Sequence, residues 1–521
     1  MNSGTKNVLV GKRIFMKWQR LCLIISPIVI ILISLIFLKA NPNLEFVFDD
    51  SYITLQFAKN FFVKKGLTFD GTHYNLGATS PLHIFLLALF NKVVHNLHLT
   101  AIFLGILSFL GLFYATFFYA KILFNNWRYS VLIAFLTITT GWLYFDALSG
   151  METVLFIAFL VFTFYLFERR NLFYSIPLGL AILTRPEGWF LFLALLSYQF
   201  LRLFLKQNVS LLKEILIPTI ITVLIVFPYL FSNLKSIGSF LPNTAMSKTL
   251  FFGEIGLPFK TKLDFFFNGL KLFYTNFIYP LFFLLFIFLP FAREIYSRFY
   301  LLIFLLLFYL SYLLLFPGST GHYWCRYQHI FYPLVIFIIA EGFYKFLKYY
   351  EHRLGSEKSS SLVRKVILTC SLLFLIGVNQ FFSLTKAQTT YERSIKSTEE
   401  TLVNLANYFK TMTPADAIIA THDIGVLGYY SERRINDLVG LVNPEMTQFY
   451  RQSGSNLPIP FSQRDILDYV REKSDFLVIF DFFKLFLNIN PDTLPDEFIF
   501  LGETTPVYGV NHKYRIYGIV K

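Results

Sequence analysis

Charge is scarce in this chain, cysteine is almost missing, and no stretch repeats another. Only 15% of the 521 positions are Asp, Glu, Lys or Arg, too few to clothe a soluble fold of this size. The three cysteines, Cys22, Cys325 and Cys370, are scattered and stand at no metal-ligand spacing, so neither a disulfide framework nor a zinc site is implied. No small-residue cleavage site closes the first apolar run, so that run reads as a retained transmembrane helix. Acids are outnumbered by bases, 32 to 46, for a net charge of +14. The bases lie at the ends of apolar runs rather than in an aromatic-interleaved patch, which excludes nucleic acid as a partner and makes the charge a topology signal.

What is present is hydrocarbon and aromatic surface. Hydrophobic residues make up 55% of the chain and aromatics 19%, with a mean hydropathy of +0.56. Apolar runs of about 18 to 22 residues recur, each able to cross roughly 30 Å of hydrocarbon, and they identify a polytopic helical membrane protein. Lys6, Lys12, Arg13, Lys17 and Arg20, with no acid among them, place the N-terminus in the cytoplasm. Spans are expected near 21–38, 100–122, 129–147, 151–167, 172–185, 187–205, 212–231, 272–291, 299–316, 327–347 and 365–383. Residues 81–95 are short and hold His83, Asn91 and Lys92; as a re-entrant or interfacial helix they leave every basic connector inside.

The expected fold class is therefore an α-helical polytopic membrane protein of about eleven transmembrane helices plus interfacial helices, with a small C-terminal α/β extracytoplasmic domain. Residues 1–384 form the membrane part, with an outer loop at 39–99, and residues 385–521 the α/β domain. Within the latter, STEETLVNLANYF and SQRDILDYVREK read as helices and AIIATHD, DFLVIF, DEFIFLG and HKYRIYGIV as strands. The expected location is the cytoplasmic (inner) membrane, multi-pass, with the C-terminal domain periplasmic.

The unusual residues gather in the outward connectors. Asp49 and Asp50 open the polar stretch 46–81 and precede SYITLQFAKNFFVKK, an amphipathic helix expected to lie in the interface and to be capped by Asp50 or Ser51. One reading has these carboxylates as a cap and a solvated charge. The other has one as general base for a hydroxyl and its neighbour as a substrate or cation ligand, since adjacent side chains diverge and a like charge raises one pKa. Asp146 and Glu152 in DALSGMET form a second acidic turn. Arg185 and Glu187 in LTRPEG are either a turn ion pair or an anion site. Lys248 in FLPNTAMSK, and His322 and Arg326 in GHYWCRYQH, add ionisable groups on the same side. Cations beside carboxylates suit a substrate that is both a phosphate ester and an electrophilic carbon.

Taken together, FDDSYITLQFAKNFFVKKGLTFD, GATSPL, ALSGMET, LTRPEG, LPNTAMSK and IATHDIGVLGYYSERRINDLVGLVNPE resemble the C-superfamily (GT-C) glycosyltransferases of bacterial membranes, and most nearly the mycobacterial terminal arabinofuranosyltransferase group. The resemblance spans about residues 46 to 445. It implies a polyprenyl-phosphate sugar donor, inverting transfer to a hydroxyl of a cell-envelope glycan, lipid or protein, Asp49 or Asp50 as base, and Glu152 in the substrate site. It also implies Arg185, Lys248 and Arg326 as ligands of the donor phosphate; Glu187 and His322, on the same side, complete the candidate substrate-binding residues. No cofactor is required by it, and a divalent cation is left open. Gln56 stands where the family commonly has arginine, and Asp70 where it has asparagine. Other classes are a transporter or flippase of a lipid-linked saccharide, which calls for internal repeats and charges deep within spans, and a non-catalytic envelope assembly protein.

Overall fold

A computed structural model describes residues 21–521 except 22–23, 65, 208–210, 241, 243, 245–246, 249–255, 275–278, 293–297, 354–357, 453–462, 482–488 and 510–511. The basic N-terminal residues, Cys22 and Arg293 lie outside the described residues. The membrane part runs through α1 (Ile24–Leu38), α2 (Asp49–Val63), α3 (Pro81–Val94), α4 (Leu97–Phe124), α5 (Trp127–Ile138), α6 (Gly141–Leu148) and α7 (Thr153–Glu168). It continues with α8 (Ser175–Thr184), α9 (Gly188–Lys206), α10 (Leu211–Ile237), α11 (Phe259–Phe273), α12 (Tyr279–Phe288), α13 (Phe299–Leu315), α14 (Tyr332–Arg353) and α15 (Lys358–Thr398).

Among the described residues, five helical stretches are long and apolar enough to cross a bilayer, and five shorter apolar helices, α3 among them, accompany them. Three expected spans are drawn differently. Residues 129–147 are a broken pair, with α5 and α6 bent by 59°. The bend sits where Gly141 meets α15 so closely that a Cβ would lie 2.4 Å from the Leu384 Cα, and a straight helix with a side chain there could not pack. Residues 272–291 belong to two separate helices, α11 and α12. The span at 365–383 is part of the 41-residue α15, which passes residue 384 without a break.

A five-stranded sheet forms the C-terminal unit, built from α16 (Asn404–Met412), β1 (Ile418–Thr421), α17 (Gly425–Ser431), β2 (Arg434–Asp437), α18 (Pro444–Gln452), α19 (Gln463–Lys473), β3 (Phe476–Phe480), β4 (Phe498–Glu503) and β5 (Tyr514–Ile519). Its order is β2-β1-β3-β5-β4, parallel among the first three strands and antiparallel at β5. β3 and the end of β1 are apolar runs buried on both faces, as central strands of a mixed sheet must be.

The unit sits on the end of the bundle that carries α2. That helix is not laid out in a surface plane: Asp49, Ser51, Tyr52, Thr54, Leu55, Phe57, Ala58 and Asn60 are all buried. Its polar stripe instead holds the loop that follows, for Asn60 Nδ2 and Gln56 Nε2 donate to the Phe69 carbonyl at 2.7 and 3.2 Å. Further on, that loop is tied to α10 by Asn75 Nδ2 to Ser232 Oγ, 2.6 Å, and by Tyr229 Oη to the Ala78 carbonyl, 2.6 Å. Asp70 closes a local turn on the amides of Thr72 and His73, 2.8 and 3.0 Å away.

Candidate active site

Phe48, in extended conformation, is the N-cap of α2, and Asp49 and Asp50 fill its first turn; the expected side-chain cap from Asp50 or Ser51 is not formed. Two carboxylates there still favour the helix, since its N-terminus carries partial positive charge. Ser51 Oγ donates to the Ser149 carbonyl just beyond α6, 2.6 Å away, fixing the height of that turn against the bundle.

Asp49 turns toward the C-terminal unit. Its two oxygens accept from the amides of Gly425 and Val426 at 2.8 and 2.7 Å, at the start of α17. Approach is so close that a Cβ on Gly425 would lie 2.0 Å from the Asp49 carbonyl oxygen, so only glycine fits. Burial, and after it the nearby Asp423, push the pKa of Asp49 well above the ordinary carboxylate range, against the pull of the two amides. Both oxygens are occupied by backbone donors.

Asp50 turns the other way, toward Arg326. Its Oδ2 accepts from Arg326 Nη2 at 3.1 Å, and its side chain keeps 23% of its surface exposed. Burial alone would raise its pKa, but Lys248 and Arg326 together hold it well below the usual range. Asp50 returns the effect on Lys248, whose pKa rises despite burial. The Arg326 guanidinium is buried within 5.1–5.2 Å of the rings of Phe48, Tyr323 and Tyr327, and its Nε and Nη1 have no hydrogen-bond partner among the described residues. Buried guanidinium donors without an acceptor are costly unless a ligand supplies one. His322 is exposed and lies within electrostatic reach of Asp50, Lys248 and Arg326.

The backbone between His322 and Arg326 is unusual. Tyr323, Trp324 and Cys325 have φ of +45°, +54° and +66°, three consecutive non-glycine residues in the left-handed region. Each such residue costs on the order of 1–2 kcal/mol, so the turn persists only because its surroundings fix it.

Glu152, Arg185 and Glu187 form a neighbouring, closed cluster. Arg185 Nη1 donates to Glu152 Oε1 at 2.8 Å and to Thr153 Oγ1 at 3.3 Å. Its Nη2 and Nε reach Glu187 Oε1 and Oε2 at 2.7 and 3.2 Å. Tyr312 Oη donates to Glu187 at 3.0 Å. Burial works against ionisation of both, and their mutual attraction overcomes it, lowering the pKa of Glu187 and raising that of Arg185. The cluster reaches the first through Tyr327, whose ring lies 5.2 Å from both guanidinium carbons. Among the described residues, no group of three or more His, Cys, Asp or Glu side chains converges to hold a metal ion.

Two residues in the neighbourhood, Asp423 and His329, were not singled out from the sequence, and Asp146 was noted there only as part of an acidic turn. Asp423, at the end of β1, lines the side formed by the C-terminal unit; Tyr514 donates to it and His422 Nε2 lies 3.1 Å away. Its place at the carboxyl end of a parallel strand is a signal that strand assignment alone could have raised. Asp146 and His329 pair in the interior and are treated below.

A family model described as a domain of unknown function, DUF8728, matches residues 388–517, which fall in the C-terminal unit and the end of α15. Comparison with curated proteins finds no match. Among solved structures, ArnT from Cupriavidus metallidurans bound to undecaprenyl phosphate is similar over 94% of this chain and 97% of its own, at 11% identity and a TM-score of 0.55. The apo state of the same protein gives 12% and 0.54 over the same shares. The apo Archaeoglobus fulgidus oligosaccharyltransferase is similar over 88% of this chain and 69% of its own, at 13% identity and a TM-score of 0.56. At such identities the likeness is one of architecture: the chain shares the overall fold of these two membrane proteins, which agrees with the helical bundle and C-terminal unit described above.

Proposed function

We propose that this protein is an inverting glycosyltransferase that moves a sugar from a polyprenyl-phosphate donor to a hydroxyl of a cell-envelope glycan, lipid or protein on the outer face of the cytoplasmic membrane. The observation that carries the reading is the Asp50–Arg326 pair, where a carboxylate stands against a buried guanidinium with two donors that have no partner among the described residues. Such donors suit a phosphate, and an undecaprenyl phosphate bound by a protein of the same fold supports a lipid-linked one.

In this reading Arg326 and Lys248 take the donor phosphate, and Asp50 is the base. Arrival of the phosphate draws both cations away from Asp50, which relieves the depression of its pKa and readies it to accept a proton. The acceptor oxygen attacks the anomeric carbon and its proton passes to Asp50. The bond from that carbon to the phosphate oxygen breaks, and the polyprenyl phosphate leaves with its new charge held by Arg326 and Lys248. Asp49, whose oxygens accept from the Gly425 and Val426 amides, serves to seat the C-terminal unit on α2. Arg185, satisfied by Glu152 and Glu187, shapes the wall rather than binding the anion.

Mass spectrometry of envelope glycans from a deletion strain tests the reading. One sugar mass should be missing, restored by the wild-type gene and not by D50N. An envelope unchanged by the deletion refutes it.

A further inference from the structure

Asp146 and His329 are a fully buried pair, both side chains at 0% exposure, that the mechanism above does not use. His329 Nδ1 lies 2.7 Å from Asp146 Oδ2, and His329 Nε2 lies 3.1 Å from the carbonyl oxygen of Trp324. A carbonyl can only accept, so Nε2 carries a hydrogen, and a second hydrogen shared between Nδ1 and Asp146 Oδ2 fixes the ring in that orientation. The carbonyl so held belongs to the middle residue of the left-handed turn Tyr323–Cys325.

That turn determines where the cations stand, since His322 precedes it and Arg326 follows it. Its other supports are rings: Trp324 lies 5.7 Å from Phe145, the residue before Asp146, and Tyr323 lies 4.6 Å from Phe48, the residue before Asp49. The same short helix α6 thus meets both halves of the Asp50–Arg326 pair. Beyond its end, the Ser149 carbonyl holds Ser51 on α2, while on α6 itself Asp146 holds His329, whose other nitrogen meets the turn at the Trp324 carbonyl.

We propose that Asp146 and His329 are positioning residues of the candidate site: by holding the Trp324 carbonyl they keep the left-handed turn closed and so set Arg326 against Asp50. This rests on the reading of Arg326 as ligand of the donor phosphate, and its test is built to separate the two.

In the full chain, purified in detergent, D146N keeps the shape of the side chain and removes its charge. Hydrogen exchange read by mass spectrometry should quicken at least tenfold over residues 322–327 and stay unchanged in the C-terminal unit; this readout needs no turnover. Exchange unchanged at 322–327, or quickened throughout the chain, overturns the proposal whether or not the protein transfers sugar. In transfer assays with membrane-extracted polyprenyl-phosphate sugars, D146N should lower kcat/KM for the donor on the order of 10- to 100-fold and leave the acceptor KM unmoved. Added to R326Q it should change nothing further, because the clamp acts only through Arg326. Losses that multiply in the double variant overturn the proposal. H329Q, which retains an N–H able to reach the carbonyl, should keep more activity than H329A; equal loss in the two counts against it.

Discussion

The carboxylates of Asp49 and Asp50 leave α2 in different directions because consecutive helical residues diverge by about 100°. One meets two backbone amides of α17, the other a guanidinium and an amine. The same contrast separates the two buried arginines. Arg185 is saturated by carboxylates, whereas Arg326 has donors to spare. R326Q should therefore weaken binding of undecaprenyl phosphate by about 10- to 100-fold, the range for one charge-assisted hydrogen bond of about 1.5–3 kcal/mol, as measured by isothermal titration in detergent. R185Q leaves Glu152 and Glu187 buried without their partner, and should instead lower the melting temperature by an amount worth about 3–5 kcal/mol. Equal loss of lipid phosphate binding in the two variants contradicts this assignment.

At the scale of elements, α2 and the loop after β2 hold the C-terminal unit in place. That loop is organised by Asp437, which is fully buried and accepts from the amides of Val439 and Val442 at 2.9 and 2.7 Å. Burial, opposed by these amides, raises its pKa from 3.8 to about 6. The folded unit then holds the proton more tightly than the unfolded chain does. The stability this contributes is present below about pH 4 and is lost as pH rises through about 6, to the extent of about 3 kcal/mol. Melting of the full chain between pH 4 and 7 should show that loss in the wild type. The difference between wild type and D437N should carry it; a pH-independent difference refutes it.

Much of this level could be read from the sequence, because hydrophobic period and length are local properties. Most of the apolar spans, α2, and the strands β1, β3, β4 and β5 follow from them, although 272–291 divides between α11 and α12. Others did not follow. The bend between α5 and α6 depends on Gly141 meeting a backbone more than 240 residues away. β2, four residues at the sheet edge beginning with Arg434, carries too little apolar pattern to stand out. Asp49 was visible as an acid in a helix start, but its partners Gly425 and Val426 lie 376 and 377 residues on, and nothing local announces them. For the same reason Asp50 and Asp49 looked interchangeable until the fold assigned each a neighbour.

Over the whole molecule, a bundle with too few charges for water meets an α/β unit at one end, and the ionisable residues collect at the junction. In the proposed reaction the bundle holds a lipid tail that water could not present, while Asp50, Arg326 and Lys248 at the junction meet its head. Binding of the remote tail can then position the sugar at Asp50. A carboxylate acting as general base is worth on the order of 10²- to 10⁴-fold in rate.

Transfer of labelled sugar from membrane-extracted polyprenyl-phosphate donors, in proteoliposomes carrying wild type or D50N, is the most direct measurement of that role. A fall of about 10²- to 10⁴-fold in D50N, with undecaprenyl phosphate still bound, is the result expected. Transfer by D50N at the wild-type rate would contradict the account.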